Sequence, residues 1–251
     1  MKNAYQDLDL DINRHVKQDA TWMLSEKAAK RNYPTRLLRY FVPYGYLYAL
    51  SQKLGRPVKV CEIGIGKGQM AAFYESAQKF PGQQPFVDSF VGVDITDERP
   101  PYQIYSVFLK IDLNKEPAPT GFDVYLMLHV IEHLTEPEAA LDKLAQALAP
   151  GAAIVVGVPC HPHFLIPHRE RNYHKIRTFD AGHHTAHSRK RLTNWAKNAG
   201  LTMRYEDGAF LLRSSGSFLE DSKAWHGFNL AFGRAFPGFP GEYYCCAVKE
   251  G

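Results

Sequence analysis

Between Val58 and Val158 the chain alternates short β-type runs with stretches of helical period, a pattern that few folds accept. The β-type runs are Val58–Ile63, Phe86–Asp94, Ile104–Ile111, Val124–Leu128 and Ala152–Val158. The run VYLML at 124–128 is apolar without a break, as a strand buried on both faces of a parallel sheet must be. Gln69–Phe80 places Met70, Phe73 and Ala77 on one helical face, and Pro137–Leu148 does the same with Leu141, Leu144 and Leu148. Pro137 suits a first helical turn, and Pro150-Gly151 stops the helix. Strands alternating with helices imply βαβ units around a parallel sheet.

The flanks read differently. Residues 1–56 are expected to form a helical extension or cap. Val16, Ala20, Met23 and Lys27 share one side of a helix that ends at Tyr33-Pro34. A second helical stretch, Thr35–Leu54, is expected to kink at Pro43 and Gly45. Residues 57–251 are expected to be one domain with insertions at 159–187 and 213–242. Ser188 can cap a helix with Leu192, Trp195, Ala196 and Ala199 inside, and Gly200 ends it. Leu201–Tyr205, Ala209–Leu212 and Tyr243–Val248 read as further strands.

Composition narrows the class. In 251 residues, 45% are apolar and 22% charged, which is globular. Thirty basic against 26 acidic residues give +4, too mild and dispersed for a dedicated nucleic-acid binder, and no DNA partner is expected. Four Cys with no C-x-x-C pair read as reduced thiols. Acidic residues near the start do not suit a secretory leader, and no run of about 18 apolar residues exists to span a membrane. A cytoplasmic location is therefore expected. The aromatic run Tyr40–Leu50 is expected to pack on the domain or line a pocket.

The sharpest local feature is Glu62-Ile63-Gly64-Ile65-Gly66-Lys67-Gly68, directly after a strand and opening a helix. Glycines there permit a tight turn and close approach of a ligand to the backbone. The helix start offers free N–H groups to an anion such as a carboxylate. A dinucleotide fingerprint needs a third glycine at position 69, where Gln69 stands. Three acids then close successive strands: Glu62, Asp94 and Asp112. Ligands of open parallel sheets sit beyond the carboxyl ends of the strands. Acids at that edge suit a cationic nucleoside with ribose hydroxyls and an adenine amino group, and repel a pyrophosphate. Any one of the three alone would read as a cap or turn residue.

The series CEIGIGKGQ, VGVDIT, KIDL, FDVYLMLHVIEHL and LAQALAPGAAIVV resembles the class I S-adenosylmethionine-dependent methyltransferases, and most of all the branch with the ubiquinone-biosynthesis O-methyltransferases. The resemblance covers about 57–158 well and the remainder more weakly. It implies a Rossmann-like, doubly wound, mostly parallel seven-stranded sheet with helices on both faces, an N-terminal helical extension and late insertions. It implies S-adenosylmethionine as cofactor. Glu62, Gly64, Gly66 and Gly68 would cradle its methionine part, Asp94 would hold the two ribose hydroxyls, and Ile95 would also contact the cofactor. Asp112 and Leu113 would meet the adenine, and Leu128 and His129 would border the methionyl end.

His129-Val130-Ile131-Glu132-His133 follows the fourth strand. The turn can simply pack, or His133 or His129 can remove a proton from a substrate hydroxyl near neutral pH. It can also gather an ion through His129, Glu132 and His133. Some relatives bind a metal through E-x-x-E-H; here His129 replaces the first Glu, which counts against a hard-cation site, so no metal ligand is assigned and metal binding by this turn is left open. Seven His lie in 161–187, and 159–191 holds seven Lys or Arg against Glu170 and Asp180. That segment reads as a solvated basic loop or as a lid favouring an anionic acceptor. The expected activity is methyl transfer to a small-molecule acceptor, through oxygen. A non-catalytic cofactor-binding regulator, a nicotinamide dehydrogenase and an RNA methyltransferase stand as alternatives. The oligomeric state is left open.

Overall fold

Seven strands join in one sheet because each has apolar side chains on both faces. They are β1 (Val58–Ile63), β2 (Val87–Asp94), β3 (Tyr105–Lys110), β4 (Val124–Leu128), β5 (Ala153–Cys160), β6 (Thr202–Gly208) and β7 (Gly241–Val248). The computed structural model describes residues 4–5, 7–19, 24–96, 104–176, 182–211, 215–239 and 241–251. The strand order is β3-β2-β1-β4-β5-β7-β6. All neighbouring pairs are parallel except those of β7, which runs antiparallel between β5 and β6. The expected mostly parallel, seven-stranded sheet is therefore present.

The two-residue period of the strands divides the core into two layers. Val60, Phe90, Leu126, Val155 and Cys246 face one way, toward α3 (Leu38–Leu54) and α4 (Gln69–Gln78). Cys61, Tyr125, Ile154 and Cys245 face the other, toward α5 (Pro137–Ala147) and α7 (Arg189–Asn198). All four Cys are buried and free. Helix α3 is buried nearly all round, so its Tyr40, Phe41, Tyr44, Tyr46 and Leu47 pack as core. Among the described residues no helix is long and apolar enough to cross a membrane.

Four local expectations change. The first helix is two: α1 (Asp11–Asp19) stops, and α2 (Glu26–Ala29) starts afresh at Ser25, whose side chain accepts from Ala28 N. Val16 and Ala28 are buried and Lys27 is exposed; Ala20 and Met23 lie outside the described residues. The separate strand at 209–212 is absent where described. β6 runs on to Gly208, Ala209 and Phe210 follow as buried coil, and Leu212 lies outside the described residues. The 159–187 connection contains α6 (Ile166–Ile176), and the 213–242 segment contains α8 (Lys223–Ala235), which packs on β6. His129 stands outside the short 3-10 turn Ile131–His133.

Candidate active site

The carboxyl ends of β1, β2, β3 and β4 open onto a cavity of about 530 Å³. That lies within the usual range of ligand sites, about 300–1,000 Å³. At its floor β1 turns sharply. Gly64, Gly66 and Gly68 all have positive φ, at 66°, 50° and 69°, where only glycine is unstrained. A Cβ on Gly64 would stand 2.5 Å from Val130 Cγ2, whereas one on Gly66 would meet nothing within 4 Å. Gly64 is therefore needed for packing, and Gly66 leaves the backbone open to a ligand. Bulky Ile65 is accommodated because it turns inward, and Gly92 of β2 clears its space.

Asp94 reaches back over this loop. Its carboxylate accepts from Gly66 N at 3.1 Å and from Thr96 N at 3.2 Å. Asp112 accepts from Asn114 N at 3.0 Å and pairs with Lys115 at 3.1 Å. The Lys115 contact, then the Asn114 amide, hold its carboxyl below the usual carboxylate range. Ile95 is 64% exposed at the cavity rim. Leu113, His129 and His133 complete the part of the wall expected from the sequence.

The structure thus brings Gly64, Gly66, Asp94, Ile95, Asp112, Leu113, His129 and His133 to one cavity. Glu62, Gly68 and Leu128 do not line it. Glu62 is only 4% exposed and accepts from Tyr105 OH at 2.7 Å. Burial pushes its carboxyl up to about 7, against the opposing effect of that hydrogen bond. Gly68 caps α4 through its left-handed conformation. Leu128 packs toward Gly157 on β5.

The two histidines differ. His133 is exposed, and its Nδ1 lies 3.4 Å from the Gly182 carbonyl. A carbonyl only accepts, so Nδ1 is the donor in this contact. His129 has Nδ1 3.4 Å from Glu132 Oε1 and Nε2 3.3 Å from Tyr244 OH. Glu132 is buried, and one of its oxygens has no partner among the described residues. Burial would raise its carboxyl, but the His129 contact holds it below the ordinary value. Glu132, His133 and His183 each present a ligand atom within 4.8 Å of the others, so His183 rather than His129 completes the cluster. Folding also brings Gly182 and His184 to the wall, and Glu242 and Tyr244 behind His129. No local pattern marks these residues, because they lie some 50 to 115 positions from the turn they meet.

The family model for the methyltransferase domain matches residues 13–206, most of the chain. The chain belongs to that family and is a methyltransferase. A comparison with curated protein sequences found no match. Solved structures share the fold. The N-methyltransferase NodS from Bradyrhizobium japonicum WM9, in complex with S-adenosyl-L-homocysteine, has a TM-score of 0.52 at 16% identity, covering 99% of each chain. The magnesium protoporphyrin IX methyltransferase from Synechocystis PCC 6803 with bound SAM has a TM-score of 0.53 at 13% identity, covering 98% of this chain and 93% of that one. The 1,6-didemethyltoxoflavin-N1-methyltransferase from Burkholderia thailandensis has a TM-score of 0.51 at 15% identity, covering 96% of this chain and 85% of that one.

Proposed function

We propose that this methyltransferase takes its methyl group from S-adenosylmethionine and passes it to the oxygen of a small-molecule acceptor. The observation that carries this reading is the convergence of the glycine turn, Asp94 and Asp112 on one cavity. The open backbone at Gly66 and the exposed side chain of Ile95 are the features a nucleoside cofactor would meet. When bound, the cofactor supplies an electrophilic methyl on a sulfonium that leaves as a neutral thioether.

The residues have separate tasks. The Gly64–Gly68 turn receives the methionine end, with Glu62 and Gly68 shaping it from below. Asp94 accepts hydrogen bonds from the ribose hydroxyls. Ile95, Asp112 and Leu113 form the adenine end, and Leu128 supports His129 at the methionyl end. His133 Nε2 takes the proton from an acceptor hydroxyl. With no strong leaving anion to stabilise, the protein's main contribution is alignment, which can be worth roughly 7–11 kcal/mol. The motif likeness to the ubiquinone-biosynthesis O-methyltransferases supports oxygen over nitrogen. The basic, His-rich segment after β5 supports a negatively charged acceptor.

Asp94→Ala tests the cofactor site. Calorimetry with S-adenosylhomocysteine is expected to show an affinity loss of about 1–3 kcal/mol, the worth of hydrogen bonds to a charged group. Unchanged affinity would contradict the ribose assignment. The acceptor is identified by incubating the protein with labelled cofactor and fractionated metabolites and following the label by mass spectrometry. Label found only in RNA would favour the RNA methyltransferase alternative.

A further inference from the structure

Glu242 is ionisable, 4% exposed, and has no task in the reaction described above. It lies at the start of β7, opposite Pro159 of β5. Arg39 of α3 donates to both its oxygens, from Nε at 3.1 and 3.2 Å and also from Nη2. Burial would raise this carboxyl, but the charges of His129 and Arg39, and the hydrogen bonds from Arg39 and Tyr244, hold it down to about 2. It is a buried carboxylate with a fixed charged partner.

Its other contact leads to the cavity. Tyr244 OH donates to Glu242 Oε2 at 2.7 Å. A phenol has one proton, so once that proton is committed to Glu242 the oxygen is left to accept. His129 Nε2 stands 3.3 Å from that oxygen and 3.7 Å from Glu242 Oε2. On the far side of the ring, Nδ1 faces Glu132 at 3.4 Å. Both ring nitrogens are thus held from behind while His129 lines the cavity.

The backbone shows why such a grip is needed. His129 has φ 55°, the one positive value at a non-glycine residue among the described residues. Such a conformation costs on the order of 1–3 kcal/mol and persists only where the surroundings over-determine it. Here His129 N donates to Gly157 O at 2.7 Å. Gly157 also clears space for the Tyr244 ring, which a Cβ at that position would overlap.

We propose that Glu242, anchored by Arg39, is a positioning residue that acts through Tyr244 to fix the His129 ring at the cavity wall, resting on the reading of that cavity as the cofactor site. Helix α3 is then part of the active centre as well as part of the core.

Tyr244→Phe is the decisive variant. It keeps the packed ring and removes only the hydroxyl, whereas Glu242→Gln strips the charge that compensates Arg39 and destabilises the fold. Two measurements are made on the full chain. NMR of ¹⁵N-histidine-labelled protein follows the His129 ring, assigned with His129→Asn. Calorimetry follows binding of S-adenosylhomocysteine. Tyr244→Phe is expected to shift the His129 ring nitrogens and weaken binding about tenfold, or about 1.4 kcal/mol. A purely structural tyrosine would leave the ring signals in place. Unmoved ring signals, or an affinity within twofold of wild type, overturn the proposal. Wild-type protein that fails to bind S-adenosylhomocysteine overturns the cofactor reading, and this role with it.

Discussion

Glu62 and Asp94 lie at the carboxyl ends of neighbouring strands, the last but one residue of β1 and the last of β2, yet one is sealed beneath the glycine turn and the other reaches over it. Both side chains leave the same face of the sheet, because Glu62 pairs with Gly92 and Asp94 stands two residues further on. The difference is set by that extra step along the strand and by Tyr105, whose hydroxyl meets Glu62 from β3. Burial keeps the Glu62 proton in place up to about 7, while the ordinary value for the group is 4.5. Between those values the folded chain holds a proton that the unfolded chain has released. Stability therefore falls as pH rises through this window and is level above it. Glu62→Gln removes the titration. Its stability relative to wild type is expected to grow between pH 5 and pH 8, read from urea midpoints at the two pH values. A constant gap would mean that Glu62 titrates normally. His187 works in the opposite sense. Burial first, then the nearby Arg191, holds its imidazole down to about 4 from an ordinary 6.5, so its contribution is lost as pH falls through that range.

Helix α8 shows where an element escapes its sequence. The strands were legible because continuous apolar runs have few other uses, and both core layers follow from their alternation. The turn after β1 was legible because glycines at alternate positions between a strand and a helix leave few conformations. The 213–242 segment read as an aromatic, glycine-rich insertion, yet it folds into thirteen helical residues. The helix starts at Ser222, whose side chain accepts from Trp225 N, and its Gly233 serves a contact rather than a turn. Gly233 lies against the backbone of Gly208 in β6, and a Cβ there would overlap the Gly208 carbonyl. Propensity scores that glycine as a loss, while the packing requires it. Gly233→Ala is therefore expected to destabilise the protein by about 1–3 kcal/mol through overpacking. Gly227→Ala is the control on the same helix. Its Cβ would meet only Leu10, at 3.4 Å, so it is expected to be neutral or stabilising by about 0.5–1 kcal/mol. Similar losses of thermal midpoint in the two variants would refute the contact argument. The site divides in the same way. Residues read from one local run, such as Asp94, Asp112 and His133, meet at the cavity. Arg39, Glu242 and His183 come from distant positions that only the closed sheet brings near the β4 turn.

The sheet order makes a single ligand a test of the entire chain. The cavity walls come from β1, β2, β3 and β4 and from the segment before α7, so its geometry exists only when the parallel half of the sheet is assembled. A ligand that binds only that state stabilises it by mass action, by about 2.7 kcal/mol at a hundredfold excess over its dissociation constant. For a domain of this size each kcal/mol moves the thermal midpoint by about 2–4 °C. S-adenosylhomocysteine at that excess is thus expected to raise the midpoint by about 5–11 °C. A nicotinamide dinucleotide is expected to leave it unchanged, because Gln69 occupies the position of the third glycine and the acids at the strand ends repel its pyrophosphate. In Asp94→Ala a tenfold weaker affinity removes about 1.4 kcal/mol of that stabilisation, so the shift at the same concentration should shrink by about 3–6 °C. A shift with the dinucleotide and none with S-adenosylhomocysteine would reverse the assignment of the cavity, since the same strand ends cannot favour both a cationic nucleoside and a pyrophosphate.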